Sequence, residues 1–116
     1  MKQQRIIYRP ENNQDKILAA IIHQVVEAAD PDKIILFGSR AMGKQNKDSD
    51  YDICVLKNSI KNQNELAKKI YLNLHRIGAG VDIVVQRMKR FEELKDKWFL
   101  VYFEIAKYGK VVYEKN

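Results

Sequence analysis

The chain has 116 residues, 46% hydrophobic and 31% charged, with 21 Lys and Arg against 15 Asp and Glu. This length fits one domain, residues 1–116, with one core and little room for a separate acceptor-binding lobe. The net charge of +6 suits a polyanionic ligand such as a nucleotide, RNA or an acidic protein face, without choosing among them. One cysteine, Cys54, excludes an internal disulfide and reads as a reducing, cytoplasmic setting. The first residues carry no apolar core of signal-peptide length, and the densest apolar run, Trp98 to Phe103, is too short to span a bilayer.

Residues 1–13 are polar apart from Ile6, Ile7 and Tyr8, and read as either a short edge strand or a mobile arm. From Gln14 to Ala29, Ile17, Leu18, Ile21, Ile22, Val25 and Val26 recur at helical spacing. Asn12 or Asn13 is placed to cap that helix, and Asp30-Pro31 ends it, because a residue before proline avoids helical angles. Ile34 to Phe37 is a continuous apolar run, as in a buried central strand. Ser39 to Gly43 forms a tight turn or one helical turn, and Lys44 to Ser49 a polar loop. Tyr51 to Leu56 is the next strand. Asn62 to Ile77 is an amphipathic helix with Gly78 as its terminal glycine. Val81 to Val85 is a strand, Lys89 to Tyr108 a long helix closed by Gly109, and Val111 to Tyr113 a last strand. The Trp98–Phe103 segment is apolar all round, which predicts burial on more than one side or a meeting with another chain. The fold class is α/β (α+β): a small mixed β-sheet flanked by helices.

Three pieces of sequence carry chemistry. Gly38-Ser39 follows the first central strand. Glycine lets backbone approach a ligand, amides at a turn suit phosphate oxygens, and Arg40 adds a fixed positive charge. An isolated Gly-Ser pair is usually an ordinary turn. Asp50 and Asp52 lie two apart on a strand and share a face, with Tyr51 pointing away. Two carboxylates that close repel unless a cation sits between them, and such hard oxygens suit Mg²⁺. An isolated Asp-x-Asp is more often a solvated strand start. Asp82 interrupts the apolar strand Val81-Asp82-Ile83-Val84-Val85, where a carboxylate without a partner is costly.

Together these form Gly-Ser-x₁₀-Asp-x-Asp, followed after one helix by a further aspartate in a strand. The chain resembles the DNA polymerase beta superfamily of nucleotidyltransferases. Within it, the chain is similar to the minimal nucleotidyltransferase (MNT) proteins, small partners of HEPN-domain proteins in prokaryotic toxin–antitoxin pairs. Gly-Ser-Arg-Ala-Met-Gly, Ser-Asp-Tyr-Asp, Val-Asp-Ile-Val-Val and the ending Gly-Lys-Val-Val-Tyr-Glu carry the resemblance, which runs from about Ile17 to the C-terminus. It implies that Gly38 and Ser39 hold a triphosphate, with Arg40 beside them. It also implies that Asp50 and Asp52 bind Mg²⁺, and that Asp82 completes the metal site and helps take the acceptor's proton. Met42, where the family often has a second arginine, and Cys54, where a small residue is common, depart from the pattern.

The resemblance implies an antitoxin that transfers AMP from ATP to a tyrosine of a HEPN ribonuclease toxin, in a hetero-oligomer and without direct nucleic-acid binding. Two alternatives stand beside it. One is a small-molecule enzyme of the aminoglycoside-modifying kind, which usually carries an added helical region. The other is a module that blocks its partner by binding alone. Lys44, Lys47 and Arg87 are further candidates to line a nucleotide pocket. His23 and His75 lack neighbours at zinc-ligand spacing.

Overall fold

The computed structural model describes residues 4–6 and 13–115. In chain order the elements are β1 (Gln4–Ile6), α1 (Asn13–Ala29), β2 (Lys33–Phe37), β3 (Tyr51–Lys57), α2 (Gln63–Asn73), β4 (Val81–Arg87), α3 (Met88–Leu94), α4 (Val101–Tyr108) and β5 (Lys110–Lys115). The strands form one mixed sheet in the order β1-β5-β2-β3-β4. Only β3 and β4 run parallel among the described pairs. Of the two readings of the N-terminal segment, residues 4–6 take the edge strand, paired with β5. Asn12 lies outside the described residues.

Alternation along the central strands feeds two cores. Ile34 and Leu36 of β2 and Ile53 and Val55 of β3 meet Leu18, Ile21 and Val25 of α1 and Ile70 of α2. Ile35 and Phe37, with Cys54 and Leu56, meet Phe91 of α3 and Ile105 of α4 on the other face. A sheet covered on both faces needs apolar residues at successive positions, which is why β2 reads as an unbroken run rather than an alternating one.

Two helices differ from the sequence expectation. The second was expected to reach Ile77, but it stops at Asn73, and Leu74 is extended. Hydrogen bonds to α1 take over there. Gln24 accepts from His75 N at 2.8 Å and donates to His75 O at 3.0 Å. The Asn73 side chain donates to Gln24 O at 2.8 Å. Leu74 and Ile77 still pack on the core, so their apolar spacing is real although the helix has ended. The long helix expected over Lys89–Tyr108 is broken into α3 and α4. A continuous helix of that length would run about 30 Å, comparable to the 35 × 34 × 25 Å extents of the whole molecule. The turn lets Phe91 and Ile105 reach the same small core. Trp98 and Phe99 ride that turn, exposed by 78% and 65% rather than buried.

The segment between β2 and β3 is held by Arg40. After Gly38 the chain makes one tight turn, closed by Met42 N to Gly38 O at 3.2 Å and Lys44 N to Ser39 O at 2.9 Å. The Arg40 side chain then folds inward. Its Nε and Nη2 donate to Ser49 O at 3.0 and 2.7 Å, and Nη2 also reaches Asn46 O at 3.4 Å. Its guanidinium lies 3.9 Å from the centre of the Tyr51 ring. The loop ties itself together through Asn46 N to Ser49 Oγ at 3.0 Å and Asp48 N to Asn46 Oδ1 at 2.8 Å. Asp50 follows directly, so its position depends on this arginine.

Arg40→Ala should therefore cost about 2–3 kcal/mol of stability, the scale of hydrogen bonds made by a charged group plus ring stacking. Urea unfolding measures the loss, and amide exchange should rise across residues 44–50. Arg40→Lys should recover only part, because an ammonium lacks the planar fork that holds Ser49 O with two nitrogens.

Candidate active site

Asp52 and Asp82 are direct partners across the parallel β3–β4 pair. Phe37, the last residue of β2, is opposite Asp52 on the other side. Tyr51 N donates to Gly80 O at 2.9 Å, which locks the start of β3 to the segment entering β4. Asp50 precedes β3 by one residue and is exposed. The register thus gathers Asp50, Asp52 and Asp82 at one end of the sheet, beside the turn that begins at Gly38.

Two glycines make room for these carboxylates. Gly38 has φ +73°, and a Cβ there would overlap Asp52 Oδ2. A Cβ on Gly80 would overlap Asp50 Oδ1. Any side chain at either position would push an aspartate aside. Among the described residues, no acceptor takes the backbone N–H of Ser39 or Arg40. These amides are free to meet phosphate oxygens at the turn.

The Asp52 carboxyl is half-buried and held above its ordinary pKa of 3.8. Burial is the largest cause. The charge of Asp82 and a hydrogen bond with it come next, then the charges of Asp50 and Glu104. A hydrogen bond between two carboxyl groups requires a proton on one of them. A divalent cation could replace that proton and neutralise both neighbours, so the donor set fits a hard, oxygen-loving ion. Among the described residues no three His, Cys, Asp or Glu side chains close a complete metal cage. An open set of carboxylates suits Mg²⁺, which keeps waters and takes substrate phosphate oxygens as further ligands.

The other sequence candidates fall in different places. Arg40 lies next to the turn, but its guanidinium is committed to Ser49 O, Asn46 O and Tyr51. Lys44 and Lys47 are exposed on the loop. Arg87 is at the far end of β4, five residues and roughly 16 Å of strand from Asp82. There it donates to Ile60 O at 2.7 Å and to Gln63 Oε1 at 3.0 Å, anchoring the start of α2. Cys54 is buried in the core and its thiol is pushed up to about 12. Glu104 and Gly80 were not singled out by sequence. Gly80 could have been found from its place two residues before Asp82. Glu104 sits on a helix with no local pattern to mark it.

Comparison with known proteins follows this geometry. The chain resembles in fold a protein from Sulfolobus solfataricus assigned as a nucleotidyltransferase, with a TM-score of 0.58 and 23% identity over 83% of this chain and 76% of that one. A toxin–antitoxin crystallised with AMP-PNP aligns with a TM-score of 0.53 and 25% identity, covering 81% of this chain and 71% of its own. A mutant form of the toxin–antitoxin MntA-HpeT aligns with a TM-score of 0.50 and 22% identity, over 89% and 74%. No curated protein matches the chain by sequence. The family model described as Polymerase beta, Nucleotidyltransferase matches residues 18–116, a span that holds both glycines and all four acidic residues of the site. The chain belongs to the polymerase beta nucleotidyltransferase family.

Proposed function

We infer that this protein is a Mg²⁺-dependent adenylyltransferase that moves AMP from ATP onto a tyrosine hydroxyl of a partner HEPN toxin, and so acts as its antitoxin. The observation that carries the reading is the register of Asp52 with Asp82, with Asp50 two residues before, beside the free amides of the Gly38 turn. The similar toxin–antitoxin holding AMP-PNP, an ATP analogue, supports both the nucleotide and the kind of partner. A cytoplasmic setting goes with ATP as substrate and with the single buried thiol. The cationic balance is assigned to the nucleotide and the partner rather than to RNA.

In this reading the Ser39 and Arg40 amides and the Ser39 hydroxyl hold the phosphates. Arg40 is a positioning residue that fixes the loop before Asp50. Asp50 and Asp52 hold Mg²⁺, and Asp82 completes the set. The bound ion supplies charge neutralisation for the phosphates and the leaving group. The acceptor oxygen attacks the α-phosphorus, and the bond from that phosphorus to the oxygen bridging to the β-phosphate breaks. Pyrophosphate leaves with that bond's electron pair. The acceptor's proton passes to the Asp82 carboxylate and then to water. Most of the rate gain in such a reaction comes from placing and neutralising charge.

The first expected outcome is metal-dependent binding. Calorimetry should detect ATP binding with Mg²⁺ or Mn²⁺ and lose it in EDTA, because bare carboxylates repel a triphosphate. Equal binding in EDTA would count against the carboxylate roles.

The second concerns Asp52→Asn. Transfer should be lost while the fold is kept. A carboxyl whose pKa is raised on folding destabilises the folded chain once pH climbs above the ordinary value of 3.8. The metal-free native protein should therefore lose stability as pH rises from that value through the raised one. At neutral pH the metal-free Asp52→Asn variant should melt a few degrees higher than the native protein, and Mg²⁺ should stabilise the native protein more. Ser39→Ala should be milder in activity, since backbone amides remain.

The third is a mass change on the partner. Incubation of the purified pair with ATP and Mg²⁺ should add AMP groups to a toxin tyrosine, a bulky anion able to block an RNA site by charge and volume. The Asp50→Asn, Asp52→Asn double variant should leave the toxin's mass unchanged. Full neutralisation by that variant at sub-stoichiometric dose would reduce the function to binding alone.

A further inference from the structure

One wall of the site is apolar and open. Asp52 feels the charge of Glu104, which places one face of α4 beside the carboxylates. Val101 and Tyr108, three residues before Glu104 and four after it, share that face. They are 41% and 46% exposed. The turn before α4 extends the surface with Trp98 and Phe99, whose rings meet edge to face at 5.7 Å. An exposed surface with two large rings, continuous with a reactive centre, is the form of a docking site.

The charges around this wall narrow the occupant. Glu92 and Glu93 are already paired, with Lys95 at 2.6 Å and Arg90 at 3.4 Å. Among the described residues Lys97, Lys107 and Lys110 make no salt bridge, against one such acid outside the site, Asp96. Lys107 also sits over the Phe103 and Tyr108 rings at 5.5 and 5.3 Å. A polycationic small acceptor would meet repulsion here. An apolar segment with acidic flanks would meet both the rings and the free lysines.

We propose that Trp98, Phe99, Val101 and Tyr108 form the acceptor-docking wall, and that its occupant is a polypeptide segment whose tyrosine lies among apolar and acidic residues. The proposal rests on the reading of the acceptor as a protein tyrosine. The segment lies along α4 and presents its hydroxyl to the carboxylate end of the sheet. Specificity for the acceptor then resides on α4, and specificity for the nucleotide at the Gly38 turn.

Trp98 is the only tryptophan in the chain, so its emission reports directly on the wall. The full-length protein, without nucleotide, is titrated with a random copolymer of glutamate and tyrosine. The expected result is a blue shift and protection of Trp98 from acrylamide. Phe99→Ser should weaken the copolymer about tenfold or more, as loss of a central ring contact does. Leu72→Ser, at a 77% exposed apolar position on α2, should leave the titration unchanged. An equal response to polyglutamate would reduce the effect to charge and overturn the proposal. So would tighter binding of a lysine–tyrosine copolymer, tighter binding of oligouridylate, a shift on concentrating the protein alone, or no response. AMP transfer plays no part in this readout. If the nucleotide reading fails, Mg²⁺-ATP calorimetry is blank while Trp98 still responds. If only the docking wall fails, ATP binds and Trp98 is silent.

Discussion

Three carboxylates crowd the end of one sheet, and most of the structure around them answers to that fact. The β3–β4 register sets Asp52 beside Asp82, and two-residue periodicity adds Asp50. Like charges in this arrangement oppose folding, as the raised Asp52 pKa records. Something else must therefore hold the strands in register. The buried runs of β2 and β3, packed on both faces, supply that force. The repulsion is tolerated because two cores hold the strand ends.

The approach to the carboxylates is equally constrained. Gly38 and Gly80 leave the space that Asp52 and Asp50 occupy, so backbone and carboxylate lie closer than any side chain would permit. Arg40 ties the intervening loop to Ser49 O and stacks on Tyr51, a ring buried in the α1–α2 core. The loop is thereby anchored to the stable side of the sheet, while the carboxylate side chain of Asp52 belongs to the other side. Positive charge close to a phosphate turn need not contact phosphate. Here the backbone carbonyls have taken it.

The strands were legible in the sequence because each is an apolar run with clear breaks, and the parity of the aspartates followed from strand geometry alone. The acidic residues expected to act together do lie together. The helix ends were less legible. Ile77 keeps its apolar spacing after the helix has stopped, because Gln24 reaches across from α1 to hold His75 by both backbone groups. Periodicity records burial, and burial outlasts the helix. The break between α3 and α4 carries no proline or glycine, so it depends on the shape of the core that Phe91 and Ile105 share. Arg40 and Arg87 were legible as cations, but not as cations spent on carbonyls. That assignment depends on which way a long side chain turns, which sequence does not specify.

The two faces of the sheet divide the work. On the α1–α2 face the helices pack on each other as well as on the sheet, and the larger buried cluster lies there. The α3–α4 face has shorter helices and a smaller cluster. It also carries Glu104 and the exposed rings. Both Asp52 and Asp82 have the parity of the strand residues that face this thinner side, such as Cys54 and Val84. A site built on the thinner side can expose apolar surface without disturbing the core that fixes its register. Covering that side with another full helix would stabilise the chain, but it would also close the space through which an acceptor must reach the carboxylates. The exposure of Trp98 and Phe99 is thus consistent with the position of the aspartates: the sheet is left open where the proposed chemistry needs access.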